Sequence, residues 1–313
     1  MKKTTLISVV LFVASVISDL QSADGKPKFL GNILDTSQID EKFATYWNQV
    51  TAENCGKWGQ AEPTRGFMDW SKLDAIYRFA QRHHFPFKEH NFIWGENQPK
   101  WIGDIPPDQQ RLEVTKWIRE YGRRYPRTQF IDVVNEPLHS PPPYKNALGG
   151  DGSTGWDWVI WAYATARKYC PRAQLLLNEY NTLKEGADLE RFIALVKLLK
   201  QRKLIDGIGV QGHGLENAND TLIHSSLRSL ASLGLPIYVS ELDLNIADDE
   251  AQQKRYESLF PIFWQDPAVA GITLWGYRQY QIWKPEAYLE RADGSERPAL
   301  VWLKDYVKRT RSE

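Results

Sequence analysis

Residues 129–140 read QFIDVVNEPLHS, and this stretch indicates how the chain is folded. The apolar run FIDVV at 130–134 has the β-branched composition of a buried strand, and it stops abruptly before Glu136. A second run, PIYVSELDL at 236–244, carries Glu241 at the corresponding point. The fold must therefore be one in which buried strands present carboxylates at their C-terminal ends.

The rest of the chain repeats this pattern of a short apolar strand followed by an amphipathic helix. Strands are predicted at 29–33, 46–51, 86–91, 130–134, 174–178, 208–212, 236–241 and 271–276. Helices, with apolar residues three and four apart, are predicted at 70–83, 108–125, 156–169, 187–202, 221–234, 247–264 and 298–310. Eight strands alternating with helices predict an α/β fold, a single-domain (β/α)8 TIM barrel.

A doubly wound open sheet is the alternative fold for such an alternation. That fold normally has a glycine-rich phosphate turn after its first strand, and the segment GNILDTSQ at 31–38 lacks this turn. No segment rich in Pro, Gly or Ser divides the chain, and 137–155 is predicted to be a long loop after the fourth strand. A single barrel is therefore favoured.

The first residues, MKKTTLISVVLFVASVIS at 1–18, combine two lysines with a short apolar run. This combination is typical of a signal peptide. We place that peptide at 1–22 and the barrel domain at 23–313. An uncleaved membrane anchor is the alternative, but the run is short for a bilayer span. We therefore expect a secreted or periplasmic protein that is free of the membrane after cleavage.

The composition excludes several functions. The 313 residues include 39 basic and 39 acidic side chains, so the net charge is zero and no nucleic-acid partner is expected. The 13 Trp residues either fill the core or present flat apolar faces to a ligand such as a sugar ring. No Cys or His cluster has zinc spacing. We expect a monomer without a metal or a cofactor.

In a parallel barrel the C-terminal strand ends form one rim, and the loops of that rim build the active site. Seven of the eight predicted strands end in polar side chains or indoles. These are Glu53, Asn54, Lys57 and Trp58 after strand two, His90 and Trp94 after strand three, Asn135 and Glu136 after strand four, Asn178, Glu179, Tyr180 and Asn181 after strand five, Gln211 and His213 after strand six, Glu241 and Asp243 after strand seven, and Trp275 and Trp283 after strand eight.

Two carboxylates among amides and indoles fit the cleavage of a glycosidic bond. That reaction needs one carboxyl group as proton donor and a second as nucleophile or as base for water. Their surroundings must keep the first protonated and the second ionised. Glu136 and Glu241 are the candidates, and the alternative is that both merely end strands on a solvated rim.

The residues beside the two glutamates suit the same chemistry. Asn135 can reach a sugar hydroxyl. Asp243 can hold His213, which in turn can donate a hydrogen bond to Glu241 and keep it ionised. The alternative for His213 is a core histidine whose neighbours satisfy it.

Seven motifs occur in order along the chain: VTAEN-x-x-KW, H-x-x-x-W, VVNEP, N-x-YN, VQGH, SELD and LWG-x₆-W. Together they resemble glycoside hydrolase family 10, the endo-β-1,4-xylanases, over about residues 29–310. This resemblance implies a retaining hydrolase of xylan, with Glu136 as acid/base and Glu241 as nucleophile. It implies two carboxyl groups roughly 5–5.5 Å apart, against roughly 6.5–9.5 Å for inversion.

The resemblance also implies roles for the surrounding residues. His213 and Asp243 would support Glu241, and Tyr180 would lie on the leaving-group side. The sugar under attack would contact His90, Trp94, Asn135, Gln211 and Trp275, and the next sugar on the non-reducing side would contact Glu53, Asn54, Lys57 and Trp283.

The chain departs from the family pattern near the sugar-binding rim. Gly56 stands where the family usually has Met, and Gly95 stands where it often has His. Glu179 stands where Asp is usual, and Arg278 lies in a segment where a Thr-Asp pair is common. We expect these departures to alter subsite preference, and the loss of His at position 95 to loosen the grip on the sugar.

The resemblance places the two cysteines of the chain, Cys55 and Cys170, at opposite faces of the barrel. They would then be too far apart for disulfide geometry, and two free thiols are expected.

Two alternative functions stay open. One is a related barrel glycosidase that acts on cellulose or mixed-linkage β-glucan, which would have to house the extra hydroxymethyl group of glucose. The other is a catalytically silent sugar-binding protein.

Overall fold

A computed structural model describes residues 27–312, without the side chain of Ser312. The signal peptide predicted at 1–22 lies outside the described residues. The eight strands are β1 Phe29–Leu34, β2 Val50–Ala52, β3 Phe87–Ile93, β4 Phe130–Asn135, β5 Gln174–Glu179, β6 Gly207–Val210, β7 Ile237–Leu242 and β8 Val269–Leu274.

Nine helices surround or cap these strands within residues 27–312. They are α1 Phe43–Tyr46, α2 Trp58–Ala61, α3 Ser71–Arg82, α4 Pro107–Arg124, α5 Asp157–Tyr169, α6 Ala187–Gln201, α7 Asp220–Ala231, α8 Asp249–Trp264 and α9 Pro298–Ser312. Three 3₁₀ turns lie at Thr36–Gln38, Lys100–Asp104 and Lys145–Leu148. The last of these falls in the loop that follows β4.

The strands form a closed barrel in chain order, and every neighbouring pair is parallel. Closure is made by β1 and β8, where Phe29 pairs with Gly271 and Asn32 with Leu274. The strands are buried almost throughout, which is expected when helices cover the outer face and side chains fill the interior. The (β/α)8 prediction is confirmed.

The second strand is shorter than predicted. The expected run 46–51 begins in a helical turn that ends at Tyr46, and the strand starts only at Val50. The aromatic side chain of Trp47 packs in the core, only 1% exposed, against Tyr277. The prediction of strand at residues 46–49 is therefore wrong, because aromatic residues that pack in the core resemble a strand in sequence.

A separate aromatic cluster closes the N-terminal end of the barrel. Phe29, Phe130 and Tyr238 lie within 5.0–5.9 Å of one another by ring centroid. These rings form a small buried cluster of their own with Leu176 and Ala270, apart from the main core. Over residues 27–312, no helix combines the length and apolarity required to cross a bilayer.

Candidate active site

The C-terminal strand ends surround one cavity of about 990 Å³. Most residues predicted for the site line it: Glu53, Asn54, Lys57, His90, Trp94, Asn135, Glu136, Tyr180, Gln211, His213, Glu241, Trp275 and Trp283. Asp243 is absent from this lining, because it lies behind His213 and is 2% exposed. The strand-end argument thus brings residues from seven strands to one place.

Glu241 lies on β7 and is nearly buried, at 4% exposure. Its Oε1 accepts a hydrogen bond from Asn178 Nδ2 at 2.6 Å, and its Oε2 contacts His213 Nε2 at 3.1 Å. His90 Nδ1 lies 3.9 Å from Oε1. Burial alone would raise the pKa of Glu241, but the positive charges of His90 and His213 outweigh it and lower the pKa to about 2. Glu241 is therefore ionised at neutral pH.

His213 lies between two carboxylates. Its Nδ1 is 3.0 Å from Asp243 Oδ1, and its Nε2 faces Glu241. Burial disfavours the imidazolium, but the two acidic partners prevail and raise the pKa of His213 to about 10. The imidazolium thus fixes the direction of the Glu241 carboxylate. Trp283 donates from Nε1 to the other Asp243 oxygen at 2.7 Å.

Glu136 directly follows β4 and is partly buried. Its Oε1 accepts a hydrogen bond from Gln211 Nε2 at 2.8 Å, and its Oε2 accepts one from Trp94 Nε1 at 2.9 Å. Among residues 27–312, no Lys, Arg or His side chain forms an ion pair with this carboxyl group, whereas Glu241 is paired with His213. Its backbone has φ of 52°, in the left-handed region that non-glycine residues seldom adopt.

Asn178 connects the surroundings of the two glutamates. Its Nδ2 reaches both Asn135 Oδ1 at 2.8 Å and Glu241 Oε1 at 2.6 Å, and its Oδ1 accepts from Ser240. Its backbone carbonyl accepts from Glu136 N at 2.8 Å. The sequence marked Asn178 only as one polar residue at a strand end, and nothing in the sequence predicted this bridging role.

A second group lies beside this centre. Lys57 Nζ donates to Asn54 Oδ1 at 3.0 Å and lies 5.1 Å from the ring centroid of Trp94. Burial raises the pKa of Glu53 and lowers the pKa of Lys57. Buried polar groups of both signs are therefore present here, and they are suited to hydrogen-bonding a neutral polyhydroxyl ligand.

Aromatic rings form the walls of the cavity. Trp275 meets His90 edge-on at 5.0 Å, and Trp283, 52% exposed, meets His213 at 4.9 Å. Tyr180 stacks on His139 at 4.1 Å. The cavity therefore combines flat apolar faces with hydrogen-bonding edges, as sugar sites require.

Besides Asp243 and Asn178, two more strand-end residues expected on the rim do not line the cavity. Trp58 is 1% exposed and packs against Trp101 and Trp117, because the short helix α2 turns it into the core. Glu179 is fully buried and contacts His139. The predicted strand-end residue Asn181 also lines the cavity. Loop residues that carried no strand-end signal complete the lining: Glu96, Ser140, Lys184, Gly214, Glu216, Asn217, Asn245 and Lys284.

Arg278, one of the departures from the family pattern, is not among the residues lining the cavity. Its guanidinium pairs with Asp40 at 2.6 Å and contacts the carbonyl of Gln38 at 3.2 Å, so it ties the loop after β8 to the loop after β1. Its role is therefore to support the rim.

Cys55 and Cys170 are both free, as predicted, and the structure shows that both are buried. Among residues 27–312, no group of His, Cys, Asp and Glu side chains has an arrangement that could hold a metal ion.

The chain matches the model of Glycosyl hydrolase family 10 over residues 20–310. It is 38% identical over 279 residues to endo-1,4-beta-xylanase B of Cellvibrio japonicus, an alignment that covers 88% of this chain and 45% of that protein. The chain therefore spans less than half the length of this relative.

Solved structures share the fold. A GH10 structure from Paenibacillus barcinonensis superposes with a TM-score of 0.81 at 24% identity, covering 90% of this chain and 95% of that one. Xylanase 10B of Thermotoga petrophila, solved with xylobiose, gives 0.77 at 22% identity, with 91% and 95% covered. With the family model matching almost the whole chain, the protein belongs to glycosyl hydrolase family 10.

Proposed function

We propose that this protein is an endo-1,4-β-xylanase that hydrolyses internal β-1,4 xylosidic bonds of xylan with retention of configuration. The observation that carries the proposal is that Glu136 and Glu241 face one cavity in opposite surroundings. Glu241 is held ionised by two histidines, whereas the hydrogen bonds that Glu136 accepts come from the neutral side chains of Trp94 and Gln211. A retaining glycosidase needs this difference, because one carboxyl group must be protonated to act as the acid while the other is ionised to act as the nucleophile.

In the first step Glu241 attacks the anomeric carbon while Glu136 gives its proton to the departing glycosidic oxygen. A covalent glycosyl-enzyme forms, and the leaving chain diffuses away. In the second step Glu136, now ionised, takes a proton from water, and that water displaces Glu241. Two inversions at one carbon give net retention. The chemistry requires no cofactor.

The surrounding residues hold the sugars. His90, Trp94, Asn135, Gln211 and Trp275 would enclose the xylose under attack, and Glu53, Asn54, Lys57 and Trp283 the next xylose on the non-reducing side. Tyr180 would carry the first sugar of the leaving chain. The xylanase named in Cellvibrio japonicus and the xylobiose bound by the Thermotoga petrophila protein support xylan as the substrate class.

The proposal includes a secreted or periplasmic location, with residues 1–22 removed as a signal peptide and 23–313 acting as a monomeric catalytic barrel. The apolar run after two N-terminal lysines supports this location. Mass spectrometry of the mature protein would test the cleavage, and the sedimentation coefficient would test the monomer.

Release of reducing sugar from xylan and from carboxymethylcellulose tests the substrate. We expect rapid release from xylan and little from the cellulose derivative. Proton NMR of the first products should show the β-anomer, because retention preserves configuration. The α-anomer as first product would refute the nucleophile assignment, and release from neither polymer would favour a silent sugar-binding protein.

Two variants test the residue roles. Glu241→Ala should abolish hydrolysis of xylan. Glu136→Ala should lose far less activity on aryl xylosides than on xylan, since a nitrophenolate leaves without a proton. Equal losses on both substrates would contradict the role of Glu136 as proton donor.

A further inference from the structure

Glu179, at the end of β5, is a buried carboxyl group that the proposed chemistry does not use. Its Oε2 accepts a hydrogen bond from the backbone N–H of Leu138 at 2.9 Å, and its Oε1 accepts one from Tyr180 N at 2.9 Å. His139 Nδ1 contacts the same Oε1 at 2.9 Å. One side chain thus joins the end of β5 to the loop that follows β4.

His139 belongs to that loop and is 21% exposed. Its ring stacks on Tyr180 with an interplanar angle of 24°, and its Nε2 lies 3.2 Å from Asp188 at the start of α6. Burial opposes a charge on this ring, but the two acidic partners outweigh it and raise the pKa of His139. The ring of His139 is therefore held on both edges and supports one face of Tyr180.

The same loop begins with Glu136. The backbone N–H groups of His139 and Ser140 donate to the carbonyl of Glu136 at 3.2 and 2.8 Å. These bonds close a turn in which Glu136 keeps its left-handed backbone. Such a conformation persists only where surrounding contacts hold it, and the bond from Leu138 to Glu179 provides one of those contacts.

We propose that His139 and Glu179 are positioning residues, which aim the Glu136 carboxyl group and fix the Tyr180 ring that receives the leaving sugar. The inference rests on the proposed xylanase function and deepens it. The pair acts through two groups that face the cavity, so it affects the leaving-group side and leaves the Glu241 side unchanged.

The experiment compares two substrates that differ in the leaving group. Xylohexaose needs both a proton and a sugar contact on that side, whereas para-nitrophenyl β-xylobioside needs no proton. We expect His139→Ala to lower kcat/KM for xylohexaose by on the order of 10²-fold and for the aryl xylobioside by less than about threefold.

A second variant separates the two parts of the proposal. His139→Phe retains a ring against Tyr180 but loses both ring nitrogens, and with them the contacts to Glu179 and Asp188. We expect it to keep the KM of wild type for xylohexaose while kcat remains reduced. His83→Ala is the matched control, since His83 follows α3, contacts Glu41, Phe79 and Phe85, and does not line the cavity.

Thermal midpoints recorded for each variant identify any loss of fold. Equal losses on both substrates, or no loss on xylohexaose, would overturn the positioning role. A wild-type protein inactive on both substrates would instead refute the proposed function. In that case calorimetric titration with xylotetraose tests the inference, which requires weaker binding by His139→Ala than by His83→Ala.

Discussion

Replacing His213 by Asn should move the acid limb of the pH–rate profile. In the native site the His213 imidazolium contacts Glu241 at 3.1 Å and Asp243 at 3.0 Å. Asn is close in size but carries no charge. The variant therefore removes one positive charge from beside Glu241, which keeps His90 at 3.9 Å. It removes the same charge from beside the buried Asp243 carboxylate, which still accepts a hydrogen bond from Trp283.

The size of the effect follows from the pKa of Glu241, which lies at about 2 against an ordinary value of 4.5. That difference corresponds to about 3 kcal/mol in favour of the ionised form, at about 1.4 kcal/mol per pKa unit. His90 and His213 share this stabilisation. Losing His213 should raise the pKa of Glu241 by at least about 1 unit, because burial then meets less opposition.

The same pair affects stability with a defined sign. A lowered pKa in Glu241 stabilises the fold above pH 4.5, and this stability is lost as the pH falls toward about 2. A raised pKa in His213 stabilises below pH 6.5, and this stability is lost as the pH rises through about 10. Both groups therefore contribute their whole stabilisation to the unfolding free energy between pH 4.5 and pH 6.5.

The assay is kcat/KM on an aryl xylobioside between pH 3 and 8, which reports the pKa of groups in the free enzyme. We expect the acid limb of His213→Asn to lie at higher pH than that of wild type, with His83→Asn unchanged. If the limb of His213→Asn coincides with wild type while the fold is intact, the electrostatic account of Glu241 is wrong.

Three further outcomes are expected. Burial raises the pKa of Glu89 far above 4.5, so the free energy of unfolding should fall as the pH rises above 4.5. In Glu89→Gln this decrease between pH 5 and pH 8, measured by urea unfolding, should be absent. Burial also raises the pKa of Cys55, and it raises the pKa of Cys170 to about 12. A thiol reagent should therefore detect two thiols in the denatured, unreduced protein and fewer in the native protein. A Cβ atom on Gly95 would lie 2.5 Å from the carbonyl oxygen of Ser140, so Gly95→Ala should cost about 1–3 kcal/mol of unfolding free energy and slow xylan hydrolysis.

The sequence predicted the barrel and the main cavity lining because both depend on strand periodicity. Where a buried strand ends, the next side chain must face the rim, and this rule places Glu136 and Glu241 together without any knowledge of loops. The rule fails at Trp58, because this residue is the first of helix α2 and its side chain is buried in the core. Periodicity cannot reveal a four-residue helix.

The contacts that tune the site were harder to predict. The pairing of His139 with Glu179 joins positions 40 residues apart through a loop whose course no local pattern determines. Asn178 contacts Glu241 through its side chain and Glu136 through its backbone carbonyl, because β4, β5 and β7 bring their ends within hydrogen-bond reach. Such contacts depend on loop paths and rotamers, which arise from the packing of the whole barrel.

The two glycine departures show how the fold compensates for a missing side chain. A Cβ atom on Gly56 would lie 3.0 Å from Glu89 Oε2, so the space above Gly56 is filled by a buried carboxyl group from β3. Beside Gly95 the backbone of Ser140 fills the space in the same way. The space beside Gly95 is therefore occupied by backbone, and the effect of this departure on sugar binding stays a prediction. The loop that begins with Glu136 packs directly against the residue after Trp94, whose indole holds the Glu136 carboxyl group. Substrate preference on this side of the cleft should accordingly depend on the conformation of that loop, and an added side chain at position 95 would displace the acid/base before it contacted any sugar.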